Sequence, residues 1–175
     1  YDLWLRYAPL EQAEIERLGL PARIVRTALV EGAPSASPTM NAAMAELMHG
    51  LNQFAAANPL PPGSGPGIAI RLDCPEDRGD ENGAFSIRSD GGEIRIGGNS
   101  DLSCLYGTYA LLRELAIGTD PTTLDVVSAP AMPLRLLNHW DNPDGHVERG
   151  YAGRSIFDWW HLPEKLDPRM IDYAR

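Results

Sequence analysis

Lysine is nearly missing from this chain. Of its 15 basic residues only Lys165 is a lysine, and the rest are arginines. Arginine grips carboxylates in a two-pronged way that an ammonium group cannot, although such a preference also arises as a compositional habit of the source. Basic residues as a class are in deficit too. They face 24 acidic ones, for a net charge of −9 and a pI near 4.8. A phosphate-backbone binder needs a basic patch, so nucleic acid is excluded as an expected partner. The acidity speaks of solubility and names no partner. Cysteine is scarce: Cys74 and Cys104 are the whole supply. They lack C-x-x-C spacing and a local histidine. A disulfide between them is one reading. Two buried free thiols is the expectation, because cysteine is among the most buried residue types. No apolar run is long enough to cross a bilayer, so no membrane partner is expected. The opening "YDLWLRYAPL" lacks the basic-then-apolar order of a signal peptide. It also lacks a starting Met, which suggests a processed or trimmed chain and leaves cytoplasmic and secreted placements both open. Missing as well are a G-x-S-x-G elbow, a glycine-rich phosphate loop and a Cys/His nucleophile arrangement.

What is present is a globular composition. With 43% hydrophobic and 22% charged residues in 175, the chain can bury a real core. Asp2–Tyr7 alternates as a strand, and Leu10–Leu18 reads as a short helix closed by Gly19. Arg23–Val30, rich in β-branched residues, is a second strand. After the loop "EGAPSASP", Thr39 is the expected N-cap of a helix to about Ala57. Its Met40, Ala43, Met44, Leu47, Met48, Leu51 and Phe54 recur at helical spacing and read as core. "NPLPPGSGPG" is a connector, and Ile68–Leu72 a short strand. "DCPEDRGDENG" has calcium-loop acidity without the ligand pattern of an EF-hand, and reads as a solvated turn. "AFSIRSD" and "EIRIGG" form a hairpin through "DGG". Asn99 or Ser100 then caps a helix over Asp101–Leu115.

The order β-α-β-α-β-β-β-α describes an α/β domain with helices layered on a sheet, here assigned to residues 1–125. Residues 126–133, bracketed by Pro130 and Pro133, read as a linker. Residues 134–175 read as the first strand, loop and opening helix of a barrel domain. Leu134–Leu137, apolar apart from Arg135, reads as a strand that runs straight into a polar cluster, and Asp167 with Pro168 starts a helix. One strand, one loop and one short helix cannot bury themselves.

The cluster is "NHWDNPDGHVERG". Functional groups in a parallel α/β barrel sit just past the carboxyl ends of strands, the place that Asn138, His139, Trp140, Asp141 and Asn142 would occupy. Trp140 offers a flat face for a sugar ring and one indole donor. Asn138 and Asn142 offer donors and acceptors for hydroxyls. Glu148 and Arg149 follow, and the arginine suits a carboxylate. The structural alternative has Trp140 as core, Asp141 as a turn cap, Asn142–Gly145 as a β-turn, and Glu148–Arg149 as an ion pair. His139, His146, Asp141 and Asp144 match no zinc spacing, and no metal is expected. Asp141, Asp144 and Glu148 are carboxylates by type, but nothing local marks any of them as a glycosidic acid or base.

The block "PLRLLNHWDNPDGHVERGYAGRSIFDWW" resembles the segment that opens the catalytic domain of the family 67 α-glucuronidases. "YDLWLRY" and "GAFSIRSDGGEIRIGGNSDLSCLYGTYALLREL" resemble theirs also, the latter shared with a wider group of glycosidase accessory domains. The resemblance implies an accessory domain followed by a (β/α)8 barrel. It implies an inverting hydrolase that releases α-1,2-linked (4-O-methyl)glucuronic acid from xylo-oligosaccharides, with no cofactor, and in many members a homodimer. It places the two catalytic carboxylates on later strands, so no catalytic residue is assigned in this chain. Asn138, His139, Trp140, Asp141, Asn142, Glu148 and Arg149 are the expected substrate-binding wall. The alternative is a stand-alone carbohydrate-binding or scaffold module.

Overall fold

The computed structural model describes residues 29–31, 37–56, 68–74, 83–90, 92–136, 138, 140–142, 144–147 and 153–170. The strand expected at Asp2–Tyr7, the helix at Leu10–Leu18, most of the strand at Arg23–Val30, the 58–67 connector and most of the acidic loop lie outside these residues. The described residues fall into two units, one ending at Pro133 and the other beginning at Leu134.

The first unit is α/β, in the order β1 (Leu29–Glu31), α1 (Pro38–Ala56), β2 (Ala69–Asp73), β3 (Phe85–Asp90), β4 (Glu93–Gly98), α2 (Asp101–Ala116) and β5 (Asp125–Ser128). The five strands make one mixed sheet in the order β1-β2-β4-β3-β5. β1 and β4 both pair with β2 in parallel, while β3 pairs antiparallel with β4 and β5. Inward side chains of the sheet, Ile70, Ile87, Ile94 and Ile96, share one core with Leu47, Leu51 and Phe54 of α1 and Leu111, Leu112 and Leu115 of α2. Period 2 on the strands and period 3.6 on the helices thus meet on one face. The other face carries Arg71, Arg95 and Arg88 abreast in register. Glu93 bridges Arg71 at 3.6 Å and Arg95 at 2.8 Å, and the hydrogen bond from Arg95 holds its carboxyl below the usual range.

The caps sharpen the boundaries. α1 starts one residue ahead of the expected cap. The Ser37 hydroxyl accepts from the Met40 amide at 3.3 Å, which makes Ser37 the N-cap and puts Pro38 at the first helical position, where its missing N–H costs nothing. Ser100 caps α2 by accepting from Ser103 N–H. α2 ends with Gly118 at φ +88°. The Thr119 amide returns to Glu114 O and the Gly118 amide to Leu115 O, the crossed pair of bonds that closes a helix on a left-handed glycine.

Two expectations are corrected in this unit. Cys74 and Cys104 are not free thiols; they form a disulfide. Cys74 directly follows β2 and Cys104 sits in the first turns of α2, so strand pairing and helix position, invisible in the spacing, bring them within reach. The stretch assigned as linker from residue 126 begins inside β5. An Asp120 turn, whose carboxylate accepts from the Thr122 amide and hydroxyl at 2.8 and 2.7 Å, swings the chain back to the sheet. Arg88↔Asp125 and Ile87↔Val126 then pair at its edge.

A third correction concerns the second unit. Leu134, Arg135 and Leu136 form no strand, and Leu134 and Leu136 are 69% and 78% exposed. A four-residue segment, three leucines and Arg135, becomes a strand only when neighbours complete its ladder and bury its faces, and no neighbouring strand pairs with it among the described residues. At the far end, the Asp167 carboxylate accepts from the Arg169 amide. Residues 168–170 enter a helical turn with Asp167 at the cap, as the sequence suggests; its continuation lies outside the described residues.

Candidate functional site

The polar cluster folds as a miniature antiparallel ribbon. Asp141 bridges to Val147 and His146 to Arg154. Between the first pair, the Gly145 amide donates to Asn142 O at 3.0 Å, closing a β-turn that needs φ of +84° at Gly145. That positive φ falls on the one residue type that adopts it freely. Between the strands, Asn142 N–H donates to His146 O, Val147 N–H to Gly153 O and Ser155 N–H to Gly145 O.

The side chains divide into two groups. The Ser155 hydroxyl donates to Asp141 Oδ2 and accepts from the Phe157 amide at 2.9 Å. Asp141 is therefore a clasp that ties the first strand of the ribbon to the third. Asp141 and the Asn142 turn are thus engaged within the ribbon itself. Asn138 and Trp140 behave differently. Trp140 Nε1 donates to Asn138 Oδ1 at 2.8 Å, and the indole is 57% exposed. The hydrogen bond spends the indole's only donor. It fixes the ring relative to Asn138 while leaving the Asn138 amide N–H groups to donate to a ligand. A flat apolar face beside an oriented amide can stack on a sugar ring and bind a hydroxyl or carboxylate oxygen.

Of the seven expected site residues, the structure brings Asn138 and Trp140 together and ties Asp141 and Asn142 into the ribbon. His139, Glu148 and Arg149 lie outside the described residues. His146, a member of the weighed metal set, pairs instead with Asp144: its amide donates to Asp144 Oδ1 at 3.0 Å, and its Nδ1 stands 3.4 Å from the same oxygen. No group of three or more His, Cys, Asp or Glu is gathered as for a metal among the described residues. The part of Ser155 escaped the sequence reading. A serine fourteen residues from its aspartate carries no spacing signal, and only the doubled-back ribbon joins them. Beyond the ribbon, Phe157 stacks on Trp159 with centroids 5.6 Å apart, and Trp160 is 77% exposed.

Residues 114–175 match the family described as the glycosyl hydrolase family 67 middle domain. A protein of Aspergillus terreus named probable alpha-glucuronidase A is 34% identical over 169 residues, and the aligned part is 88% of this chain and 19% of that protein. Alpha-glucuronidase A of Aspergillus tubingensis is 33% identical over 172 residues, 90% of this chain and 19% of that one. By these matches the chain is similar to proteins of glycoside hydrolase family 67, with the family match itself confined to residues 114–175. The family 67 match starts at Glu114, within α2, and takes in β5 and the whole ribbon. A third relative, probable alpha-glucuronidase A of Neosartorya fischeri, is 40% identical over 92 residues, 52% of this chain and 10% of its own. The chain spans about a fifth of the length of the first relatives, 19% in each of three. Among solved structures, a GH138 enzyme targeting pectin rhamnogalacturonan II superposes with a TM-score of 0.45 and 20% identity, over 60% of this chain and 15% of its own.

Proposed function

We propose that this chain is the front part of an α-glucuronidase that hydrolyses α-1,2-linked (4-O-methyl)glucuronic acid from xylo-oligosaccharides. The observation that carries the reading is the family 67 match over 114–175, which contains the Trp140–Asn138 pair. In this reading the first unit, with β5 (Asp125–Ser128) on its sheet, is an accessory domain, and the residues between β5 and Leu134 are a connection. Residues 134–175 open a (β/α)8 barrel, in which Leu134–Leu137 becomes a strand once its neighbours are present. The exposed Leu134 and Leu136 are what such a strand offers before its sheet is complete.

The substrate wall is Asn138, His139, Trp140, Asp141, Asn142, Glu148 and Arg149. Within it Trp140 stacks on the uronic acid ring, Asn138 donates to it, and Arg149 pairs with its carboxylate. Asp141 acts from behind, by holding the ribbon through Ser155. Inversion needs a general acid on the leaving oxygen and a base that activates water on the opposite face of the sugar. Both groups belong to strands beyond this segment, so this segment binds and orients and does not cleave. No cofactor takes part. The partners are glucuronoxylan-derived oligosaccharides and, in the complete enzyme, a second copy of itself.

The test is release of glucuronic acid from aldouronic acids, with proton NMR of the first-formed anomer. The expected result is activity with inverted configuration from the complete gene product and none from a protein ending at Arg175. Release by the short form overturns the assignment of the carboxylates. A complete gene product that binds aldouronic acids without cleaving them favours the stand-alone binding module.

A further inference from the structure

We propose that this protein completes its fold in an oxidising compartment, with the Cys74–Cys104 disulfide as the clamp that fastens the end of β2 to the start of α2. The inference rests on the first unit alone and is independent of the glucuronidase reading. Cys74 follows Asp73, the last residue of β2, and is half-buried; Cys104 is fully buried in the core. Their Cα atoms stand 6.0 Å apart, within the span that a disulfide bridges without moving backbone. The parallel register Asp73↔Gly97 puts the end of β2 beside the end of β4. The chain then turns through Asn99 and Ser100 into α2. The disulfide thus joins the end of β2 to the helix that follows β2's sheet neighbour β4, and it closes a span of 30 residues containing the β3–β4 hairpin.

What the clamp holds is the end of β2, which among the described residues lies between β1 and β4. β2 has five residues and its outer neighbour β1 three. A covalent tie that closes a loop of this length shrinks the unfolded ensemble and so favours the folded sheet. The two cysteines are also the only ones in the sequence, so the tie forms without a competing thiol in this segment. The chemistry is an exchange. The two thiols give up two protons and two electrons to an acceptor of the disulfide class, oxidised glutathione or an oxidoreductase disulfide. That acceptor leaves as two thiols while the Cys74–Cys104 bond forms. Reducing thiol pools run the same exchange backwards, which is why stable structural disulfides belong to secreted and other oxidised settings.

The experiment takes the complete protein from its own source, quenched with N-ethylmaleimide under denaturing, non-reducing conditions, followed by peptide mass mapping. The expected result is a linked pair of peptides carrying Cys74 and Cys104, with no maleimide on either. In parallel, adding reductant lowers the unfolding midpoint of the accessory domain by roughly 10 °C. The variant C74A/C104A melts where the reduced wild type melts and ignores reductant. Should that variant fail to fold, reduced wild type supplies the same comparison without substitution. Maleimide on both cysteines of the quenched protein, or an unfolding midpoint that reductant leaves unchanged, overturns the proposal.

Discussion

Trp140 donates its indole N–H to the side-chain oxygen of Asn138 at 2.8 Å, across a single intervening residue. The bond orients a half-exposed ring that would otherwise sample several rotamers. In the complete enzyme we predict that Trp140→Ala lowers kcat/KM for aldouronic acids at least tenfold, about 1.4 kcal/mol of transition-state binding. Trp140→Phe keeps a stacking face and loses the bond to Asn138, so it should fall between the two. Steady-state kinetics on the three proteins checks this. Equal kinetics for wild type and Trp140→Ala would return the residue to a purely structural part.

The Asp141–Ser155 clasp makes a separate prediction. Ser155→Ala removes the donor to Asp141 and the acceptor for the Phe157 amide. Each lost partner of a partly buried polar group costs on the order of 1 kcal/mol. Because the clasp joins the outer strands of the ribbon, the loss should be felt locally. Hydrogen exchange at the Phe157 amide should quicken several-fold in Ser155→Ala, while amides of α2 keep their protection. Unchanged exchange at Phe157 would mean that the hydroxyl holds nothing.

These two pairs show which parts of the molecule the sequence announces. Ile87, Ile94 and Ile96 alternate with polar neighbours, and α1 and α2 carry apolar residues at helical spacing, so the helix-on-sheet domain is readable from periodicity. Asn142-Pro-Asp-Gly announces its own turn. What stays hidden is whatever depends on a partner far along the chain. Asp125–Ser128 is only four residues long and sits amid prolines and threonines. It is a strand because β3 offers it an edge. Cys74 and Cys104 meet because β2 lies beside β4. Asp141 is a clasp because a serine fourteen residues on folds back to it. Leu134–Leu136 errs in the opposite sense: its composition promises a strand, and composition cannot supply the neighbours a strand needs.

Gly107 carries a stability prediction. It lies on α2 over β4, and a Cβ built there would stand 2.4 Å from Ile96 Cγ2. Ile96 is fully buried, so it has little room to yield. Alanine is the better helix former by about 1 kcal/mol, but overpacking a filled core costs typically 1–3 kcal/mol, and the clash should win. We expect Gly107→Ala to lower stability by about 1–2 kcal/mol, read as a lower denaturant midpoint with an unchanged slope. The double variant Gly107→Ala with Ile96→Ala removes the Cγ2 methyl at the point of conflict. It should be less destabilised than the sum of the single variants. A neutral or stabilising Gly107→Ala would show that α2 stands farther from the sheet.

Asp167 supplies a pH dependence with a definite sign. Its carboxylate takes two side-chain hydrogen bonds from the Arg169 guanidinium and a third from the Arg169 backbone amide, and these hold its pKa at about 2, down from 3.8. A depressed carboxyl pKa means that the folded state favours the charged form. The capping contribution is therefore fully present above the unfolded value and fades as pH falls through the folded one. The window is roughly pH 4 down to pH 2, between the unfolded and the folded values. Carboxyl carbon NMR of Asp167 should show a midpoint near the low end. Arg169→Ala removes the guanidinium but keeps the backbone amide, so the midpoint should rise only part of the way back. A full return to the ordinary value would show that the backbone bond, and with it the cap at the start of the final helical turn, depends on the arginine. No rise at all would show that the guanidinium does not hold the charge.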